Sequence, residues 1–144
     1  MVAIHGKDTK PEMLLRRALH AKGFRYRLHD HQLPGRPDLV FPKFRAIVFV
    51  NGCFWHGHQC DQFRWPTTRE EFWRSKIGGN VARDRVHIAA LQNGGWRVCF
   101  VWECALKGKG RLGVEAVVDA VAGWLSSGGR DLVVRGANRH DANI

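Results

Sequence analysis

Residues 51–60, Asn51-Gly-Cys-Phe-Trp-His-Gly-His-Gln-Cys60, hold two of the four cysteines and two of the eight histidines in the chain. Cys53, His58 and Cys60 offer three soft or borderline donors within eight residues. Zinc takes four such donors in a tetrahedron, and Cys3His is a common structural set. The fourth donor must come from elsewhere, and the choice lies between Cys99 and Cys104. Cys99 sits inside the apolar run Val98 to Trp102, where a thiol is ordinarily an inert packing residue. Cys104 follows the run and is free to reach a neighbouring loop, so Cys104 is the expected fourth ligand. A buried cysteine pair beside an unrelated histidine is the competing reading. His56 is surplus to the tetrahedron, and is either a solvated loop histidine or a base held beside the metal loop.

Three carboxylates stand where chemistry and local structure compete. Asp38 follows the turn Leu33-Pro-Gly-Arg-Pro37 and opens a strand, so it either caps that turn or offers oxygen to a hard divalent cation. Glu12 closes a Thr9-x-x-Glu12 capping box. Asp84, between Arg83 and Arg85, fits an ion pair. The adjacent Phe54-Trp55 reads equally as core or as a ring pair presented outward by a tied loop. Each signal is weak singly. Together they describe a phosphodiester-hydrolysing core of the restriction-endonuclease-like kind, in which a helix acid and a strand aspartate flank a metal.

The elements that must position these groups follow from patterning. Thr9, Pro11 and Glu12 start a helix whose apolar stripe is Met13, Leu14, Ala18 and Leu19, ended by Gly23. Phe24 to Leu28 alternates as a strand, and Asp38 to Phe41 is a second. Pro42 to Arg45 is a short hairpin connection into a third, Ala46 to Val50, which is short, β-branched and apolar enough to be buried. Thr68 to Glu71 forms another capping box for a helix through Lys76, broken by Gly78-Gly79. Asn80 then caps a second helix, with Val81, Ile88 and Leu91 on one face, ended by Asn93-Gly-Gly95. Arg97 to Trp102 is the fourth strand and Val114 to Leu125 the last amphipathic helix. The order predicts an α/β or α+β sandwich around a mixed sheet; joined to the cysteine and carboxylate readings, the expected fold is α/β, a three-layer core around a central mixed sheet with a structural zinc site. Residues 1–126 form one domain, and 127–144 a tail whose single strand-like piece is Leu132-Val-Val134.

Among 144 residues, 23 Lys+Arg against 13 Asp+Glu give a net charge of +10, which draws the chain toward polyanions and first of all toward nucleic acid. No apolar run approaches the roughly 18 residues that a membrane span needs. The start Met1-Val-Ala-Ile-His-Gly-Lys has no apolar signal-peptide core, so a cytoplasmic protein is expected.

Five stretches then carry a resemblance: Gly6-Lys-Asp-Thr-Lys-Pro-Glu12; Leu33-Pro-Gly-Arg-Pro-Asp38; Gly52-Cys-Phe-Trp-His-Gly-His58; Phe72-Trp73 with Asn80-Val-Ala-Arg-Asp84; and Gly95-Trp-Arg-Val98 with Val101-Trp-Glu-Cys104. In register over about residues 4 to 107, they resemble the very-short-patch-repair endonucleases, bacterial enzymes that nick DNA at T:G mismatches. The resemblance implies Mg²⁺ held by Asp38 and the Val50 carbonyl, with His56 as the general base. It implies that Glu12 and Asp84 are acids holding the attacking water or the base, and that Cys53, His58, Cys60 and Cys104 are the zinc ligands. Phe54, Trp55 and Trp73 would form a wedge entering the base stack, and Lys76 and Asn80 would contact the mismatched bases. Arg64, Arg69, Arg74, Lys76, Arg83 and Arg85 surround these elements and are expected at phosphates. The implied partner is duplex DNA with a T:G mismatch, with mismatch-repair proteins as further candidates and a monomer as the assembly.

Two departures bear on activity. Asn51 stands where the family usually has a second histidine, and asparagine can hydrogen-bond a phosphate or water but cannot titrate near neutrality. Only five residues precede Gly6, so a minor-groove clamp carried there is expected to be short. Two other readings remain: a non-catalytic, zinc-stapled mismatch binder, and a restriction-type endonuclease that cuts matched duplex.

Overall fold

The computed structural model describes residues 9–60 and 63–137. In chain order it runs α1 (Lys10–Ala21), β1 (Arg27–Leu28), β2 (Leu39–Phe41), β3 (Ala46–Asn51), α2 (Glu70–Asn93), β4 (Arg97–Trp102), α3 (Glu103–Leu106), α4 (Val114–Ser127) and β5 (Leu132–Val134). The strands form one mixed sheet in sequence order. β1, β2 and β3 pair antiparallel, whereas β4 and β5 are each added parallel to the preceding strand, after α2 and α4 as crossovers.

The pleat sorts the central strands into two cores. Ala46, Val48, Cys99 and Val101 join Leu15 and Leu19 of α1 and Val117, Val121 and Leu125 of α4 in the larger one. Ile47, Phe49 and Val98 face the other way, with Val40 and with Leu91 of α2. The sheet is therefore the middle of three layers, and β3, covered on both faces, reads as a continuous apolar run for that reason. Asn51 shares the phase of Ile47 and Phe49 and belongs to the α2 side.

Several elements differ from expectation. Thr9 does cap α1, accepting a hydrogen bond from the Glu12 N–H at 3.5 Å. The buried stripe, however, is Glu12, Leu15 and Leu19, with Leu14 left 39% exposed. The first strand shortens to Arg27–Leu28, because Phe24 and Tyr26 instead lay their rings against Phe41, at 6.4 and 5.6 Å.

The two helices expected around Gly78-Gly79 are one helix of 24 residues, entered from Arg69 in the left-handed region (φ 52°) with no side-chain cap from Thr68. Each glycine costs a helix about 1 kcal/mol relative to alanine, too little to break one anchored on both sides. Ile77 and Leu91 are that anchorage, buried before and after the glycines. Asn80 is consequently inside the helix and caps nothing. Leu132–Val134, expected within the tail, pairs with β4 through Cys99↔Leu132 and Val101↔Val134 and completes the sheet. The short N-terminal lead and Gly6 to Asp8 of the first motif lie outside the described residues.

Candidate active site

One end of the sheet collects the chemistry, and strand direction explains why. β1, β3 and β4 finish at the end where β2 begins, which brings together His29, Asp38, Asn51 and Glu103. A cavity of about 810 Å³ opens there, lined by His29, Asp38, Val50, Asn51, His56 and Asp84 among others. Ligand crevices in open α/β sheets ordinarily lie outside the carboxyl ends of strands.

On one wall, Glu12, His29 and Asp38 place their ligand atoms within 4.8 Å of one another. Asp38 Oδ2 accepts the Val50 N–H at 2.7 Å, which fixes the carboxyl and leaves Oδ1 facing His29 Nε2 at 4.0 Å. Glu12, only 1% exposed, takes Arg16 Nη1 at 2.8 Å and His29 Nε2 at 2.7 Å, both on Oε2. Burial pushes the Asp38 carboxyl up to about 7; the Val50 N–H opposes this, and the charge and hydrogen bond of Glu12 add to it. Two carboxyls brought this close favour either a shared proton or a cation.

Across the cavity, His56 Nδ1 meets Asp84 Oδ2 at 2.6 Å. Asp84 reaches it from the middle of α2, and the long helix is what carries a residue so far from the sheet over the loop. With Nδ1 donating to the carboxylate, Nε2 keeps its lone pair for an incoming proton. Asn51, 6% exposed, ends β3 between the two walls.

Behind the cavity lies a second cluster. Cys53, His58, Cys60 and Cys104 converge with all ligand atoms within 4.8 Å, and His58 Nδ1 is 3.7 Å from Cys104 Sγ. Cys104 belongs to α3, a four-residue helix that the patterning missed, and Cys99 stays in the core, its thiol pushed up to about 12 by burial. Burial also raises the Cys53 and Cys104 thiols and pulls the His58 ring down to about 4, with Arg135 adding to the latter. A neutral imidazole and three sulfurs whose negative charge needs a cation are the donor chemistry of a soft metal site. Trp102 stacks on His58 at 4.0 Å and 5°. The Gly136 N–H donates to Cys104 Sγ at 3.3 Å, and Arg135 to the Gln59 carbonyl at 3.0 Å. The chain after β5 thus closes over the cluster. Gly136 is required there, because a Cβ would stand 2.1 Å from the Cys104 carbonyl oxygen.

The aromatic residues form one edge-packed group. Phe54, Trp55 and Trp73 sit with centroids 5.2 to 5.7 Å apart, and Phe63 stacks on Phe54 at 5.8 Å. Trp55 is buried, while Phe54 and Trp73 are partly exposed. Gly57, at φ 62°, lets this loop lie against α2, where a Cβ would come within 3.1 Å of Ile77. Asn80 donates to the Trp55 carbonyl at 2.9 Å and accepts from Arg83, tying helix to loop. Lys76 is exposed on the same helix. No helix of the described residues is long and apolar enough to cross a membrane.

Sequence reasoning gave no role to His29, Glu103, Trp102 or Arg135. Glu103 lines the cavity and accepts the Cys53 N–H at 3.4 Å. The signal for His29 was present in the hairpin: extending the Leu28↔Leu39 register by one residue puts His29 opposite Asp38.

Residues 1–62 match the family model described as DNA mismatch endonuclease Vsr. The chain is 47% identical to the DNA mismatch endonuclease Vsr of Escherichia coli over 129 residues, 90% of this chain and 83% of that protein. It is 48% identical to the type II nicking enzyme V.XorIIP of Xanthomonas oryzae, covering 78% of this chain and 82% of the relative. It is 45% identical to the nicking enzyme V.NmeAIP of Neisseria meningitidis, covering 76% and 78%.

Proposed function

The chain belongs to the Vsr DNA mismatch endonuclease family and is a DNA endonuclease; from that premise we propose that it nicks one strand of duplex DNA at a T:G mismatch by Mg²⁺-assisted hydrolysis. The observation that carries this reading is the pairing, across one cavity, of the His56–Asp84 dyad with the buried Glu12 and half-buried Asp38 carboxyls. The restriction-endonuclease-like core is part of the same proposal, supported by the mixed sheet with a helix acid and a strand-start aspartate at its active end.

The carboxyls fit a hard divalent ion. Asp38 is anchored through Oδ2 and presents Oδ1, Glu12 faces it, and the Val50 carbonyl is the third oxygen expected there. A divalent ion bound there supplies positive charge beside the scissile phosphate. His56 takes the proton of the attacking water at Nε2, while Asp84 holds the ring through Nδ1. Asn51 offers hydrogen bonds to a phosphate oxygen but no charge. The resulting ends are a 3′-hydroxyl and a 5′-phosphate.

Cys53, His58, Cys60 and Cys104 would hold zinc, which ties the loop carrying His56, Phe54 and Trp55 to α3. Phe54 and Trp73 offer the accessible part of the wedge, with Trp55 behind them. Unstacking costs a few kcal/mol per step, and a T:G wobble pair is easier to distort than a Watson–Crick pair. Lys76 reaches the bases and the arginines of α2 meet phosphates; Asn80 must first leave the Trp55 carbonyl to do the same. The nicked strand would then pass to repair proteins in the cytoplasm, at the nucleoid.

The test uses matched and T:G duplexes, each strand labelled separately, incubated with the monomeric protein and Mg²⁺. One nick, confined to the mismatched duplex and abolished by His56→Ala while DNA binding and zinc content persist, is the expected result. Cutting of both strands or of matched duplex would indicate a restriction-type enzyme. Binding without cutting would indicate a mismatch binder.

A further inference from the structure

We propose that His29 is a protein ligand of the active-site cation, alongside Asp38 and Glu12, and that this nitrogen donor makes the site favour a first-row transition ion, Mn²⁺ included, over Mg²⁺. The inference rests on the reading that Asp38 holds a divalent cation.

Three observations carry it. His29 is the cross-strand neighbour of Asp38: its N–H donates to the Asp38 carbonyl at 3.1 Å, so both side chains leave the sheet end side by side. The residue adopts a left-handed φ of 47°, and its ring is 13% exposed, turned into the acid pair and away from solvent. Its Nε2 lies 2.7 Å from Glu12 Oε2 and 4.0 Å from Asp38 Oδ1. Around an octahedral ion with bonds of about 2.1 Å, adjacent donors stand roughly 3 Å apart and opposite ones roughly 4.2 Å apart. The three atoms therefore already have the spacing of a shared coordination sphere, and small rotations separate the Nε2···Oε2 hydrogen bond into two ligand bonds, with the ring proton on Nδ1.

Donor chemistry gives the consequence. Magnesium is served by carboxylate, carbonyl and water oxygens, whereas an imidazole nitrogen adds more to a first-row transition ion than to Mg²⁺, least for Mn²⁺ and increasingly along the series. A site of oxygens alone would feel the residue at position 29 only through the orientation of Glu12. A site that includes Nε2 must feel its loss, and must feel it unequally between ions. A histidine that merely orients Glu12 would weaken both ions alike when replaced.

The experiment is Mn²⁺ titration of the full chain, purified without strong chelator, with free Mn²⁺ read by electron paramagnetic resonance and the bound ion by electron spin echo modulation. Mg²⁺ affinity is read by displacement of Mn²⁺. Wild type should show modulation from a directly ligated ¹⁴N, and ¹⁵N-histidine labelling should change its frequency, a result that requires no variant. His29→Gln should remove the modulation and weaken Mn²⁺ by at least about 10-fold, the lower end of what loss of even an outer-shell partner costs. Mg²⁺ should weaken by less than about 3-fold, its site remaining oxygen-based. Absence of nitrogen coupling in wild type, its persistence in His29→Gln, or parallel weakening of the two ions overturns the assignment. Asp38→Asn separates this from the underlying reading: wild-type Mn²⁺ binding in that variant would show that the cation site is elsewhere.

Discussion

Without a cation, the Asp38 carboxyl is driven from 3.8 to about 7, chiefly by burial. The folded protein therefore keeps a proton that the unfolded chain surrenders above pH 3.8, and stability falls as pH rises through that window and levels off beyond about 7. At 1.36 kcal/mol per pH unit, the part of the window between pH 5 and pH 7 is worth up to about 3 kcal/mol. Asp38→Asn removes the ionisation while keeping a carbonyl oxygen for the Val50 N–H, which Asp38 now accepts at 2.7 Å.

The variant should accordingly be more stable than wild type at pH 8 in Mg²⁺-free buffer, with a gap that narrows by up to about 3 kcal/mol on going to pH 5. For a chain of this size that corresponds to roughly 10 °C in Tm at most. Thermal or urea unfolding at the two pH values reads it directly, without strong chelator so that the zinc proposed for the Cys/His cluster is not stripped. Added Mg²⁺ should raise the Tm of wild type only, by mass action on the folded state, and nicking should be lost in the variant. A variant less stable than wild type at pH 8, or a gap independent of pH, would refute the claim that ionising Asp38 strains the fold.

Gly78→Ala, whose Cβ would meet nothing within 4 Å, should stabilise α2 by about 0.5–1 kcal/mol. Gly57→Ala, at positive φ and against Ile77, should destabilise, and urea unfolding compares the two. Cys104→Ser should lose bound zinc in elemental analysis, whereas Cys99→Ala should keep it despite a weakened core. Asn51→His should raise the single-turnover nicking rate at saturating Mg²⁺; an unchanged or lower rate would remove position 51 from the list of residues limiting activity.

The Cys/His cluster was legible because two kinds of information agreed: donor spacing within residues 53–60, and the contrast between a thiol inside an apolar run and one just beyond it. Asp38 was legible as a strand entry, since the Pro-Gly-Arg-Pro turn fixes where the strand begins. His29 was not, because its importance depends on the hairpin register, and a strand reduced to two residues leaves little pattern to align. The helix break at Gly78-Gly79 failed for a different reason: glycine propensity is a weak local term, and the burial of Ile77 and Leu91 outweighs it. That misreading hid the geometry of the dyad, since Asp84 meets His56 by lying midway along a helix that does not stop. The aromatic pair stayed ambiguous in sequence, and the structure divides it: Trp55 is buried at 8% exposure and Phe54 is not.

His56 and His58 are separated by one glycine, yet they serve opposite sides of the loop. His58 stacks on Trp102 and is pulled down to about 4 by burial, so near neutral pH it is a neutral donor facing three thiols. His56 is turned toward Asp84, and the positive φ of Gly57 is the chain reversal that separates the two rings. Soft and hard chemistry can then coexist at one end of the sheet. An ion held by the thiols would fix the loop, and a fixed loop keeps the proposed base across the cavity from the carboxyls. Were the rings interchanged, the base would be consumed as a ligand and the cluster would face the cavity. Each ring is therefore assigned by what the loop presses it against, and the residue type alone could not have decided between them.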